Sequence, residues 1–159
     1  LEPTIADTTK SFPPIARVLV VEDFEPFRAL IISLIRDAAT LQVIGEAADG
    51  LLAIEKAREL RPDLILMDIG LPGLNGIESV RRIREFLATS KVVFVSQESS
   101  LEIVQEALSL GGCGYILKSV AGSELLQAIG TVLQGDQDIS ERLNGRGPKG
   151  GNNPNPSSK

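Results

Sequence analysis

From residue 17 to about residue 134, short apolar runs alternate with amphipathic stretches. The runs cover residues 18–21, 43–47, 64–67, 92–95 and 115–117. They are rich in β-branched residues and apolar at consecutive positions, which predicts parallel strands covered on both faces. Between and after them, apolar residues recur at spacings of three and four, which predicts helices with one buried stripe. The stripes are Phe27, Leu30, Ile31, Leu34 and Ile35; Ala53, Ile54, Ala57 and Leu60; Ile77, Val80, Ile83 and Leu87; Ile103, Val104, Ala107 and Leu108; and Leu125, Ile129, Val132 and Leu133. Arg81, Arg82, Arg84 and Glu85 fall on the solvent side of the third stripe. Pro26 suits the first turn of the first helix. Pro62 punctuates the gap before the third strand. Gly111, Gly112 and Gly114 predict a turn before the last strand.

The expected architecture is α/β: five β-α units forming a doubly wound five-stranded parallel sheet in the order 2-1-3-4-5, the flavodoxin-like arrangement. Its ligand crevice lies outside the carboxyl ends of strands 1 and 3. Residues 1–16, with Pro3, Pro13 and Pro14, form a loose lead-in. Residues 17–134 form the domain, and residues 135–159 a linker and a Gly/Pro/Asn-rich tail expected to be disordered. Ile139-Ser140-Glu141-Arg142-Leu143 predicts one further helical turn in that linker.

Composition narrows the function classes. The 159 residues suffice for one domain with a substantial core. A formal net charge of −5 argues against binding to a phosphate backbone, so no nucleic acid is expected to bind this chain. No apolar stretch is long enough to span a bilayer, and the N-terminus lacks a signal-peptide pattern. A single cysteine, Cys113, excludes an internal disulfide and fits a reducing, cytoplasmic location. It is expected to be a small packed residue. There is no histidine, so a partner must bring one to any chemistry that needs it.

Four of the strand ends carry polar groups. Glu22-Asp23 follows the first run, Asp68 the third, Ser96 the fourth and Lys118 the fifth. Taken singly, each has a plainer role. The acids favour a helix N-terminus, Asp68 a turn and Ser96 a cap. Lys118 suits a solvated surface, and Tyr115 a packed strand position. Taken together on one sheet edge, the acids, hydroxyl and lysine suit a divalent cation and a phosphoryl group on Asp68.

These residues, with Met67-Asp68-Ile69-Gly70-Leu71-Pro72-Gly73-Leu74-Asn75-Gly76 and Gly114-Tyr115-Ile116-Leu117-Lys118-Ser119, make the chain resemble the receiver domain of two-component response regulators. The glycines before Tyr115 and Ser119 after the lysine resemble the NarL/FixJ-type subgroup. The resemblance implies a signalling switch that catalyses only its own phosphorylation and dephosphorylation. Asp68 would be the phosphoacceptor. Mg2+, or Mn2+ in its place, would be held by Glu22, Asp23, Asp68 and the Gly70 carbonyl, Glu22 acting directly or through water. Lys118 and Ser96 would bind the phosphoryl oxygens, and Tyr115 would turn inward as they do. The donor would be a phosphohistidine on a sensor histidine kinase or phosphotransfer protein. The face of the fourth helix, last strand and fifth helix (α4-β5-α5) would dock partners or a second copy.

Two features depart from the commonest pattern of that family: Ser96 stands where threonine is more frequent, and Gln97 where a small residue is usual. Gln97 is bulky enough to narrow access to the site. The tail is too short for the helix-turn-helix domain of longer members. A receiver-like interaction module that works without phosphorylation is the main competing function. A flavin carrier needs a phosphate-cradling loop after the first strand, where this chain has Glu22-Asp23-Phe24-Glu25-Pro26. Phosphatases with an aspartate nucleophile on a similar fold carry Asp-x-Asp there.

Overall fold

A computed structural model describes residues 14–111 and 113–135, and the backbone of 138–139. The strands are β1 (Ala16–Val21), β2 (Leu41–Ala47), β3 (Leu64–Met67), β4 (Lys91–Ser96), β5 (Cys113–Leu117) and β6 (Asp138–Ile139). The helices are α1 (Glu25–Arg36), α2 (Gly50–Leu60), α3 (Gly76–Arg84), α4 (Leu101–Leu108) and α5 (Ala121–Leu133). The first five strands are parallel in the order 2-1-3-4-5, as the alternation predicts, and β6 adds to the free edge of β5.

Period-two alternation sends each strand's side chains to opposite faces. Leu19, Val21, Ile65, Met67, Phe94 and Tyr115 share one face with the buried sides of α2, α3 and α4. Val18, Val20, Leu64, Leu66, Val93 and Ile116 share the other with α1 and α5. The register brings the strand ends together. Val21 pairs with Met67, Met67 with Phe94, and Ser96 with Leu117. The residues that follow β1 and β3, Glu22 and Asp68, therefore leave the sheet side by side.

Several expectations need correction. Leu30 is 45% exposed, and Ile32 takes its place in the core. Packing against both the sheet and α5 rotates the buried stripe of α1 away from Leu30. Gly114 lies inside β5, where it pairs with Val93, and is not part of the preceding turn. Gly111 does turn the chain, at φ +80°, while Gly112 lies outside the described residues. Ile139 sits in a strand with Asp138, paired to Tyr115, in place of the expected helical turn. Residues 140–143 lie outside the described residues, as do residues 1–13 of the lead-in and the tail beyond 139.

Arg84 is the largest correction. It leaves the solvent side of α3 and is half-buried. It donates to the carbonyls of Ser90 and, at 2.7 Å, Gly111, and stands 3.8 Å from Cys113 Sγ. Burial pushes the Cys113 thiol's pKa up, with Arg84 opposing. Arg84 thus ties together the turns that lead into β4 and β5, at the end of the sheet opposite the acids. Arg84→Met keeps the stem but takes the donor from the carbonyl of buried Ser90. It is expected to cost about 2 kcal/mol, the scale of a charge-assisted hydrogen bond with a buried partner, read as a lower midpoint in urea with an unchanged slope.

Candidate functional site

Two loops place the acids. After β1, Glu22 N–H donates to Ala47 O at 3.0 Å, and Glu22 Oε2 accepts from Phe24 N–H at 3.0 Å. Phe24 is the N-cap of α1 and no side chain caps that helix, so neither acid acts as its cap. After β3, Asp68 N–H donates to Val21 O at 3.0 Å, which fixes the two strand ends to each other. Asp68 Oδ1 accepts from Gly70 N–H at 3.2 Å. The loop then folds back: Gly73 takes φ +76°, Gly76 N–H donates to Ile69 O at 2.9 Å, and Asn75 caps α3 through Glu78 N–H.

Glu22, Asp23 and Asp68 each offer a carboxylate oxygen within 4.8 Å of the others. Glu22 and Asp68 are 1% and 5% exposed, while Asp23 faces solvent. Lys118 answers the two buried acids. It follows β5 on a 3-10 turn, Lys118–Val120. Its Nζ lies 2.9 Å from Glu22 Oε1 and 3.3 Å from Asp68 Oδ2, and 5.0 Å from the centre of the Phe27 ring. Burial pushes the Glu22 carboxyl pKa up, and the Asp68 charge adds to this, against the pull of Lys118 and Phe24 N–H. Burial also opposes the charge on Lys118, but Glu22 and Asp68 together outweigh it and raise its pKa.

Glu22 Oε1 is buried, and the ion pair with Lys118 Nζ at 2.9 Å balances its charge. With the carboxylates of Asp23 and Asp68 beside that of Glu22, the donor set fits a hard divalent cation, which prefers oxygen. Glu22, Asp23 and Asp68 could hold one. Gly70, whose carbonyl is the fourth expected ligand, lines the same cavity of about 800 Å³.

Ser96 and Tyr115 sit at the far side. Ser96 is 2% exposed and its hydroxyl accepts from Glu98 N–H at 3.0 Å. Tyr115 is fully buried and donates from its hydroxyl to Glu98 O at 2.9 Å. The ring is therefore already inward, which the sequence expectation reserves for the phosphorylated state. Burial pushes the phenol's pKa up, against the lowering effect of the nearby Ser96 hydroxyl. Gln97 is exposed on the cavity rim and does not close it.

All the sequence-predicted site residues, Glu22, Asp23, Asp68, Gly70, Ser96, Tyr115 and Lys118, lie at one end of the sheet. Phe27 under Lys118 and the Asn75-Gly76 pair behind Asp68 were not anticipated. Asn75 followed three residues later by Glu78 is a helix-start signal in the sequence, whereas the contact of Phe27 with Lys118 depends on the fold bringing α1 beside the turn after β5.

Comparison with known proteins gives a consistent result. Residues 18–130 match the response regulator receiver domain family. The chain is 37% identical over 128 residues to the nitrate/nitrite response regulator protein NarL of Escherichia coli (strain K12), covering 80% of this chain and 59% of that protein. It is likewise 37% identical over 127 residues to the response regulator GacA of Pseudomonas viridiflava, with the same coverage. It thus spans about three-fifths of the length of these relatives. Among solved structures it is similar to a two-component response regulator of the LuxR family from Aurantimonas sp. SI85-9A1. The TM-score is 0.77 and the identity 31%, over 82% of this chain and 93% of that one. The response regulator domain of Thermotoga maritima CheB aligns with TM-score 0.70 and 36% identity, over 77% and 98%.

Proposed function

The chain belongs to the response regulator receiver domain family, a family of signalling domains and not of enzymes in the ordinary sense, and from that premise we propose that it is a phosphoacceptor switch. Asp68 takes a phosphoryl group from a histidine on a sensor kinase or phosphotransfer protein. The observation that carries this is Lys118 Nζ standing between Glu22 Oε1 and Asp68 Oδ2 at the mouth of the sheet. A lysine so placed can move with the charge when one acid becomes a phosphate ester.

An Asp68 carboxylate oxygen attacks phosphorus as the bond from phosphorus to the donor nitrogen breaks, and the imidazole leaves with the electron pair. A Mg2+ ion, or Mn2+ in its place, held by Glu22, Asp23, Asp68 and the Gly70 carbonyl would supply the positive charge that lets an anionic donor approach these acids. Lys118 then pairs with a phosphoryl oxygen as a point charge. Ser96 donates its hydroxyl proton to another. Its oxygen already accepts from Glu98 N–H, and Glu98 O holds Tyr115. A shift of Ser96 toward the phosphate therefore pulls on the segment that anchors Tyr115, and α4-β5-α5 changes as a docking or dimer face. No described helix is long and apolar enough to cross a membrane, and we place the domain in the cytoplasm beside its kinase.

The test is the chemistry of the product. Phosphoryl label acquired from acetyl phosphate and Mg2+ should be removed by hydroxylamine at neutral pH, as an acyl phosphate is; label that survives would contradict attachment to a carboxylate. Lys118→Ala should retain part of the labelling but lose the conformational response. The chain has one tyrosine and no tryptophan, so its emission reports Tyr115 alone. A wild-type emission change in labelled Lys118→Ala would refute the coupling role.

A further inference from the structure

We infer that Arg28 is a positioning residue for the acidic site, acting on the loop of Glu22 and Asp23 from behind; this rests on the phosphoacceptor function proposed above. Arg28 sits in the first turns of α1 with its side chain 18% exposed. Its Nη1 donates to Glu22 O at 2.7 Å, and its Nε to Glu46 Oε1 on β2 at 3.0 Å. The guanidinium touches neither Asp68 nor Lys118 and so stands outside the set of site residues assigned above.

The Glu22 carbonyl and the Asp23 N–H belong to one rigid peptide plane. Holding that oxygen sets the rotation of the plane, and with it the direction in which the Asp23 side chain leaves the backbone. The neighbouring peptide planes are held separately: Glu22 N–H, in the plane before, donates to Ala47 O on β2, and Phe24 O, further on, accepts from the N–H groups of Phe27 and Arg28. Among the described residues, only the Arg28 side chain ties the Glu22 carbonyl itself, and it does so with its own aim fixed by Glu46. A guanidinium presents its donors in a rigid planar fork that fixes the angle between its acceptors, whereas an ammonium is a rotatable point charge. Asp23 is the exposed member of the acid group, so it is the one whose aim most needs fixing.

Charge and position act in opposite directions here, which makes the inference testable by sign. A guanidinium near the acids repels an incoming cation. If Arg28 acted only as a nearby charge, Arg28→Met would tighten cation binding. If it positions the loop, the same change weakens binding, by about tenfold, as is typical when a residue that orients metal ligands is lost. The experiment is a Mn2+ titration by electron paramagnetic resonance of wild type, Arg28→Met, Arg28→Lys, Glu46→Ala and Glu46→Gln. It is run in about 0.5 M KCl to screen distant charge, with far-UV circular dichroism of each variant. Arg28→Lys should recover only part of the loss, because it keeps the charge but not the fork. Should Arg28→Met fail to fold, Glu46→Ala carries the test at an exposed position, with binding expected to weaken by up to about tenfold relative to Glu46→Gln, which loses the same charge but keeps an oxygen that accepts from Arg28 Nε. Equal or tighter Mn2+ binding by folded Arg28→Met, or binding by Glu46→Ala no weaker than by Glu46→Gln, would overturn the positioning role alone. A wild type that binds no Mn2+ would overturn the metal assignment and this role together.

Discussion

Asp68→Asn is expected to take up no phosphoryl group and, in the absence of divalent cation, to unfold at a higher denaturant concentration than wild type. The first effect follows from chemistry: an amide oxygen is a poor nucleophile, and Glu22 and Asp23, though close, are not the acceptor proposed here. The second follows from charge. Three carboxylates converge within 4.8 Å, two of them buried, with Lys118 against the buried pair. Asp68 raises the Glu22 pKa on top of burial. A carboxyl whose pKa is raised in the fold binds its proton more tightly than in the unfolded chain, so its ionised form at neutral pH is a stability cost. Removing the Asp68 charge reduces that cost and leaves Lys118 paired with Glu22. The gain should be about 1 kcal/mol, measured by urea unfolding in EDTA. Adding Mg2+ should stabilise wild type by mass action and Asp68→Asn much less. Wild type that remains more stable than the variant in EDTA would show that the Lys118 contact outweighs the repulsion.

Gly76→Ala is expected to be the most damaging substitution outside the site itself. A Cβ at Gly76 would lie 2.1 Å from Asp68 O, and 2.9 Å from both Asp68 C and Ile69 Cα. All three are backbone atoms, so no side chain can rotate away; the loop that aims Asp68 must move, or α3 must. The cost should be near the upper end of overpacking penalties, about 3 kcal/mol, with slower phosphoryl uptake in whatever fraction remains folded. Alanine also favours helix over glycine, which would lessen the loss. Gly130→Ala on α5 isolates that effect, because an added Cβ there meets nothing within 4 Å. It should stabilise by up to about 1 kcal/mol. Equal stability of Gly76→Ala and wild type in urea would mean that the loop accommodates the methyl group freely.

The sheet was legible because its central strands are buried on both faces. Val18-Leu19-Val20-Val21 and Leu64-Ile65-Leu66-Met67 have no polar side to confuse the pattern. Once those runs are aligned, the residues after them must share an edge, so the positions of Glu22, Asp68, Ser96 and Lys118 could be foreseen. What escaped depends on contacts between segments distant in sequence. Arg84 looks like its exposed neighbours Arg81 and Arg82 in any helical projection, yet its acceptors are carbonyls of turns that only the folded sheet brings beneath it. Arg28 reaches Glu46 across 18 residues for the same reason. Leu30 fits the helical spacing of α1, but packing against both the sheet and α5 selected Ile32 instead. The inward ring of Tyr115 is a rotamer set by Glu98 O, and no periodicity encodes a rotamer.

The central claim is that Asp68 accepts a phosphoryl group with the help of a cation held by its neighbouring acids. Intact mass of wild type and Asp68→Asn after incubation with acetyl phosphate, with Mg2+ or with EDTA, tests it most directly. The account predicts a gain of one phosphoryl group in wild type with Mg2+ alone, and none in the variant or in EDTA. No gain in wild type under any condition would contradict it and leave a receiver domain that binds its partners without phosphorylation.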